Sequence, residues 1–86
     1  MEKQQIATTE ARVLEILERI TGTDQVRRDL DLELFDLGVL DSLSLVELLL
    51  ALSDEFGVDI SPAEIERPQW ASPRKIVAYM QERVGA

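Results

Sequence analysis

The segment that most restricts the fold runs from Ser42 to Phe56, between Asp41 and Gly57. Leu43, Leu45, Val46, Leu48, Leu49, Leu50, Ala51 and Leu52 crowd it, with no proline or internal glycine, so it is predicted as the second helix. At about 100° per residue, with Leu43 at zero, Leu45, Leu48, Leu49, Leu52 and Phe56 fall between about 140° and 240°. They form a broad core stripe. Leu43, Val46, Glu47, Leu50 and Asp54 cluster within about 60° of zero, on the opposite side. A helix with two opposed apolar stripes needs core on one side and something further on the other. Two outcomes are open: the preceding loop covers the second stripe, or the stripe stays exposed as an acid-rimmed docking strip.

Caps and stops predict the rest. A first helix is expected over about Thr9 to Thr21, with a threonine cap, Gly22 as the stop and Val13, Leu14, Leu17 and Ile20 inward. Ile6 and Ala7 are candidates to extend it backwards, and residues 1–5 are expected to fray. Ser61-Pro62-Ala63-Glu64 reads as a capping box that opens a short third helix, ended by Pro68. Ser72-Pro73 opens a fourth helix to about Arg83, with Ile76, Val77, Met80 and Val84 inward. The stretch from Thr23 to Asp41 reads as an anchored loop, because Val26, Leu30, Leu32, Leu34, Phe35, Leu37 and Leu40 give it reason to pack. Leu32-Glu33-Leu34 alternates like a strand but has no strand to pair with. The fold class expected is all-α: a four-helix bundle of three main helices and one short one, in a single domain over 1–86.

Composition removes several functions. With no cysteine and no histidine, the chain has no thiol of its own, no usual general base and no usual transition-metal ligand. That weighs against an independent enzyme. Asp41, Glu47 and Asp54 lie along one helix with no second element to converge on them, so a metal or acid–base cluster is not expected. An uncharged run such as Leu48 to Ser53 is far too short to cross a bilayer, which predicts a soluble, cytoplasmic chain without direct membrane insertion. Net charge is −8, and the 11 acidic residues between Asp29 and Glu66 are interrupted by no lysine or arginine. That block argues against nucleic acid and suits partners with basic docking surfaces.

Ser42 is the candidate for chemistry. A helix start offers unpaired N–H groups and the positive end of the macrodipole, which favour a phosphate ester there. The competing reading is an ordinary cap by Asp41 or Ser44, and Ser44 to Glu47 also spells a capping box. With no histidine to activate it, Ser42 reads as a point of attachment rather than a nucleophile.

Gly38-Val39-Leu40-Asp41-Ser42-Leu43, set on the second helix of a small acidic bundle, resembles the acyl carrier protein family over nearly the whole chain. The resemblance implies 4′-phosphopantetheine on Ser42, attached by a phosphopantetheinyl transferase using coenzyme A and magnesium. It further implies that Asp41 helps that transferase engage, and that Leu43, Val46, Glu47, Leu50 and Asp54 meet partner enzymes. The thiol missing from the sequence would come from the cofactor. Within the family the chain is most similar to the D-alanyl carriers of teichoic acid modification. The Leu34-Phe35 to Ser42 loop, Val46 to Ala51 and Arg67-Pro68-Gln69-Trp70-Ala71-Ser72-Pro73-Arg74-Lys75-Ile76-Val77 carry that likeness, with Trp70 expected as a core plug. This implies an adenylating D-alanine ligase upstream, a downstream acyltransferase in the membrane, and a monomeric, non-catalytic carrier between them. A fatty-acid or polyketide carrier is the alternative within the class. A helical interaction module without a prosthetic group is the alternative outside it.

Overall fold

Each long helix starts on a side-chain cap and ends on a glycine, as the sequence pattern requires. A computed structural model of the chain describes residues 8–85. The expected backward extension through Ile6 and Ala7, and the fraying of 1–5, lie outside the described residues. Helix α1 spans Thr9–Thr21, capped by the Thr8 hydroxyl, which accepts the Ala11 N–H at 3.1 Å. Helix α3 spans Ser42–Phe56 and stops at Gly57, whose φ of 66° is a left-handed conformation costly for other residues. Helix α4 spans Pro73–Val84, with Ser72 accepting from the Lys75 N–H at 3.3 Å. Among the described residues there is no strand, and the architecture is the all-α bundle expected.

The core follows the helical periodicity. Val13, Leu17, Leu48, Leu52, Ile76 and Met80 are fully buried where α1 packs against α3 and α4. Ile16 joins them, an inward position absent from the sequence reading. Leu45, Phe56 and Val84 are half-buried at the rim of the same cluster. Arg12 ties α1 to the end of α3: its guanidinium meets the Glu55 carboxylate at 2.9 Å and lies 4.4 Å over the Phe56 ring. That placement combines an ion pair with a cation–π contact at one helix end.

Two connections differ from expectation. The stretch from Thr23 to Asp41 holds a short helix, α2, over Gln25–Arg28. One turn forms there because Val26 plugs into the core at 0% exposure while Arg28 pairs with Asp24 at 3.0 Å. The rest is an anchored loop. Leu32, Leu34 and Leu40 are buried, and the loop backbone is tied to the start of α4 and the residue pair before it through Leu34 N–H to Ala71 C=O (2.8 Å) and Arg74 N–H to Leu30 C=O (2.9 Å). Leu32-Glu33-Leu34 does alternate, burying both leucines, without a sheet.

The region after Gly57 does not form one short helix ended by Pro68. Two 3₁₀ turns take its place, Pro62–Glu64 and Arg67–Trp70, with Pro68 inside the second. The Ser61/Glu64 capping box is present, but Ile65 turns extended to half-bury itself, and the helix never propagates. Proline is tolerated in a first turn because its missing N–H would be unpaired there anyway. Trp70 closes the core at 0% exposure, edge-on to Tyr79 at 5.3 Å, and its Nε1 has no acceptor among the described residues.

Candidate functional site

The start of α3 is capped by Asp41, not by Ser44 with Glu47. The Asp41 carboxylate accepts the Ser44 N–H at 2.9 Å, and the Ser44 hydroxyl accepts the Asp41 N–H at 2.8 Å. The Ser44 hydroxyl also lies 2.9 Å from the same carboxylate oxygen, which it serves as donor. These bonds, the Ser44 N–H first, hold the Asp41 carboxyl below its ordinary range and keep it ionised. Part of the positive helix end is therefore already answered by Asp41. A phosphate at Ser42 would meet a helix start whose Ser44 N–H is already taken, so the helix end alone does not supply its counter-charge.

With the cap supplied by its neighbours, Ser42 sits at the first helical position, exposed and free of any capping duty. Its hydroxyl has one side-chain partner among the described residues, Arg67, whose Nη2 lies 3.4 Å away. Arg67 in turn rests 4.8 Å above the Phe35 ring. The loop and the second 3₁₀ turn thus meet over Ser42. Sequence reasoning missed this arginine. It stands first after the 38-residue block that lacks cations and opens the segment that carries the D-alanyl carrier likeness, but neither signal placed it at Ser42.

Down α3, the second apolar stripe is uncovered. Leu43 is 71% exposed, Val46 41% and Leu50 68%, so the covering-loop outcome does not occur. Glu47 and Asp54 are exposed on the same face, in helical register with those three residues. Leu37, expected to pack inward with the rest of its loop, is instead 63% exposed. It stands at the turn where Gly38 adopts φ +73° and donates its N–H to the Phe35 carbonyl at 3.1 Å. Among the described residues no group of three or more carboxylates, histidines or cysteines is placed to hold a metal ion.

A family model described as a phosphopantetheine attachment site matches residues 11–80. The chain belongs to this family. Among its relatives, the D-alanyl carrier protein of Lacticaseibacillus rhamnosus is 47% identical over 70 residues, covering 81% of this chain and 86% of that one. The D-alanyl carrier protein of Latilactobacillus sakei subsp. sakei (strain 23K) is 42% identical over 73 residues, 85% and 94% of the two chains. That of Abiotrophia defectiva is 40% identical over 77 residues, 90% and 98%. Membership in the phosphopantetheine attachment family brings a covalently attached 4′-phosphopantetheine and a carrier role, in a family that is in general non-catalytic. The residues at the start of α3 fit such a group: an exposed hydroxyl outside the capping network with a guanidinium against it.

Proposed function

We propose that Ser42 is the attachment residue and that this chain carries D-alanine as a thioester for teichoic acid D-alanylation. The observation that carries the reading is the Ser42 hydroxyl, exposed at the first turn of α3 while Asp41 and Ser44 supply the cap. The likeness to D-alanyl carrier proteins supports the cargo. When bound, the arm supplies the thiol that the sequence lacks, and with it a thioester acceptor for an activated carboxylic acid. The chain's own residues orient and present that arm. Asp41 rigidifies the turn beneath it and offers the transferase an ionised carboxylate. Leu43, Val46 and Leu50 form the apolar centre of a transient interface, with Glu47 and Asp54 as an acidic rim for basic partner surfaces.

The partners on this reading are a phosphopantetheinyl transferase, an adenylating D-alanine ligase and a downstream acyltransferase in the membrane. The carrier meets each as a single-domain monomer over 1–86 from the cytoplasmic side. No helix among the described residues is long and apolar enough to cross a membrane. Delivery on an arm raises the effective concentration of cargo at each partner.

Intact-mass measurement after incubation with coenzyme A, magnesium and a broad-specificity transferase tests attachment. The mass is expected to rise by one phosphopantetheine in the wild type and not in Ser42→Ala. Addition that survives Ser42→Ala overturns the residue assignment. Loading the holo form with a ligase panel tests the cargo: D-alanine should be accepted and long acyl chains refused, and the opposite pattern makes it a fatty-acid or polyketide carrier.

A further inference from the structure

We infer that Arg67 is a phosphate clamp for the arm, its guanidinium gripping the non-bridging oxygens of a phosphodiester on Ser42. This rests on the proposed attachment at Ser42. In the bare protein the Arg67 Nη2 to Ser42 Oγ separation of 3.4 Å is long for a hydrogen bond, so the neutral hydroxyl alone explains little of why the guanidinium is there. A phosphodiester on that oxygen places anionic oxygens beyond it, within reach of a planar fork of N–H donors. Arginine pairs with phosphate through short, charge-assisted and often bidentate bonds.

The clamp is held in place before any anion arrives. Phe35 supports the guanidinium plane from below at 4.8 Å. The loop carrying Phe35 is bonded to the residue that ends the Arg67–Trp70 turn, through Leu34 N–H to Ala71 C=O at 2.8 Å. Trp70, fully buried, pins the far end of the Arg67–Trp70 turn into the core. The neighbouring residue Pro68 restricts the backbone next to Arg67. The restrained backbone and the ring beneath the guanidinium reduce the side-chain freedom lost when the pair forms, which is the usual cost of exposed ion pairs.

Local charge gives the clamp its purpose. Asp41 stands one residue before Ser42 with its carboxyl ionised, within a sequence block of 11 acids and no cation. A further anion at Ser42 would be repelled by these neighbours, and the helix N–H that might have answered it at Ser44 is already bonded to Asp41. Arg67, immediately beyond the block, is the cation that the fold returns to Ser42 from 25 residues away. Gripping the phosphate restrains the root of the arm while its thiol end stays mobile.

The test compares apo and holo forms of wild type, Arg67→Gln, Arg67→Lys and, as a control for net charge, Arg19→Gln on the exposed side of α1. Intact mass first verifies conversion. A wild type that takes up no phosphopantetheine overturns the attachment reading itself, whereas the clamp is judged only on converted protein. Conversion of wild type is expected to shift the Arg67 Nε–Hε resonance and slow its exchange with water. The phosphorus-31 signal of the holo form should differ between wild type and Arg67→Gln, and not between wild type and Arg19→Gln. In urea at low salt, conversion should raise the wild-type folding equilibrium constant about two- to fivefold, the range of an exposed ion pair, and the gain should fade with salt. Arg67→Gln should lose this gain and Arg67→Lys keep part of it. An equal gain in wild type and Arg67→Gln, or an Arg67 resonance indifferent to conversion, overturns the clamp.

Discussion

Leu49 and Leu50 are adjacent, identical in sequence and opposite in fate, which makes them a controlled comparison. Leu49 is 1% exposed in the core and Leu50 is 68% exposed on the second stripe. Truncating Leu49 to alanine removes buried methyl groups and leaves a cavity, at a cost of about 2–5 kcal/mol. For a chain of this size that lowers Tm by at least about 8 °C. Leu50 has only about a third of its surface to lose, worth about 0.7 kcal/mol from a full-burial value near 2, and alanine returns about 0.2 in helix propensity. Leu50→Ala should therefore cost about 0.5 kcal/mol. Urea unfolding followed by the fluorescence of Trp70, the chain's one tryptophan and fully buried, measures both. The functional order should reverse. If the stripe meets the ligase, Leu50→Ala should lower kcat/KM for D-alanyl loading of the holo carrier about five- to tenfold, a contact worth about 1 kcal/mol. A loss of 2 kcal/mol or more from Leu50→Ala would mean that the stripe is covered in solution and not free to dock.

Gly38→Ala should cost about 1 kcal/mol, because the φ of +73° is left-handed while the space where a Cβ would stand is open. Gly38→Asn should cost less; thermal unfolding measures both, and a neutral Gly38→Ala would show that the turn relaxes freely. The Arg74 guanidinium, by hydrogen bond and then by charge, holds the Asp31 carboxyl below its ordinary value of 3.8. A carboxyl lowered in the folded state stabilises fully above that value, and the contribution disappears as pH falls through the folded one. The stability gap between wild type and Asp31→Asn should therefore be flat from neutrality to about pH 5 and close in stronger acid. Urea midpoints across pH measure it; a gap that widens in acid would contradict the ion pair.

The three long helices were legible because their boundaries are written in local chemistry. Thr8 and Ser72 cap, Gly22 and Gly57 stop, and the leucines between repeat at helical spacing. The short elements were not. Four residues around Val26 carry one buried side chain, too little periodicity to distinguish a helical turn from loop. Ser61 to Glu64 does spell a capping box and the box forms, yet a cap announces a start and says nothing of length. The competition at Ser42 was also undecidable from sequence: Asp41, Ser42 and Ser44 all carry capping side chains, and only the fold shows Asp41 and Ser44 pairing with each other. Arg67 lay furthest out of reach. Its meeting with Ser42 and Phe35 depends on a loop and a turn docking across the bundle, and no local pattern encodes that encounter.

Helix α3 separates what the fold needs from what the carrier role needs. Its buried face, Leu48, Leu49 and Leu52, fixes the helix against α1, and that rigidity gives the opposite face a defined shape. The exposed face would invite aggregation in a neutral chain, since apolar side chains in a row bury each other readily. Here Glu47 and Asp54 stand among Leu43, Val46 and Leu50, and the whole chain carries a net charge of −8. Copies of the chain therefore repel one another while surfaces of opposite charge are attracted, so on the proposed docking role one distribution of acids would both keep the strip available and select its partners. That same acidity makes the start of α3 a poor place for one more negative charge. On the proposed attachment at Ser42, the cation at Arg67 would answer this difficulty where the arm joins, and leave the acidic face below it unaltered.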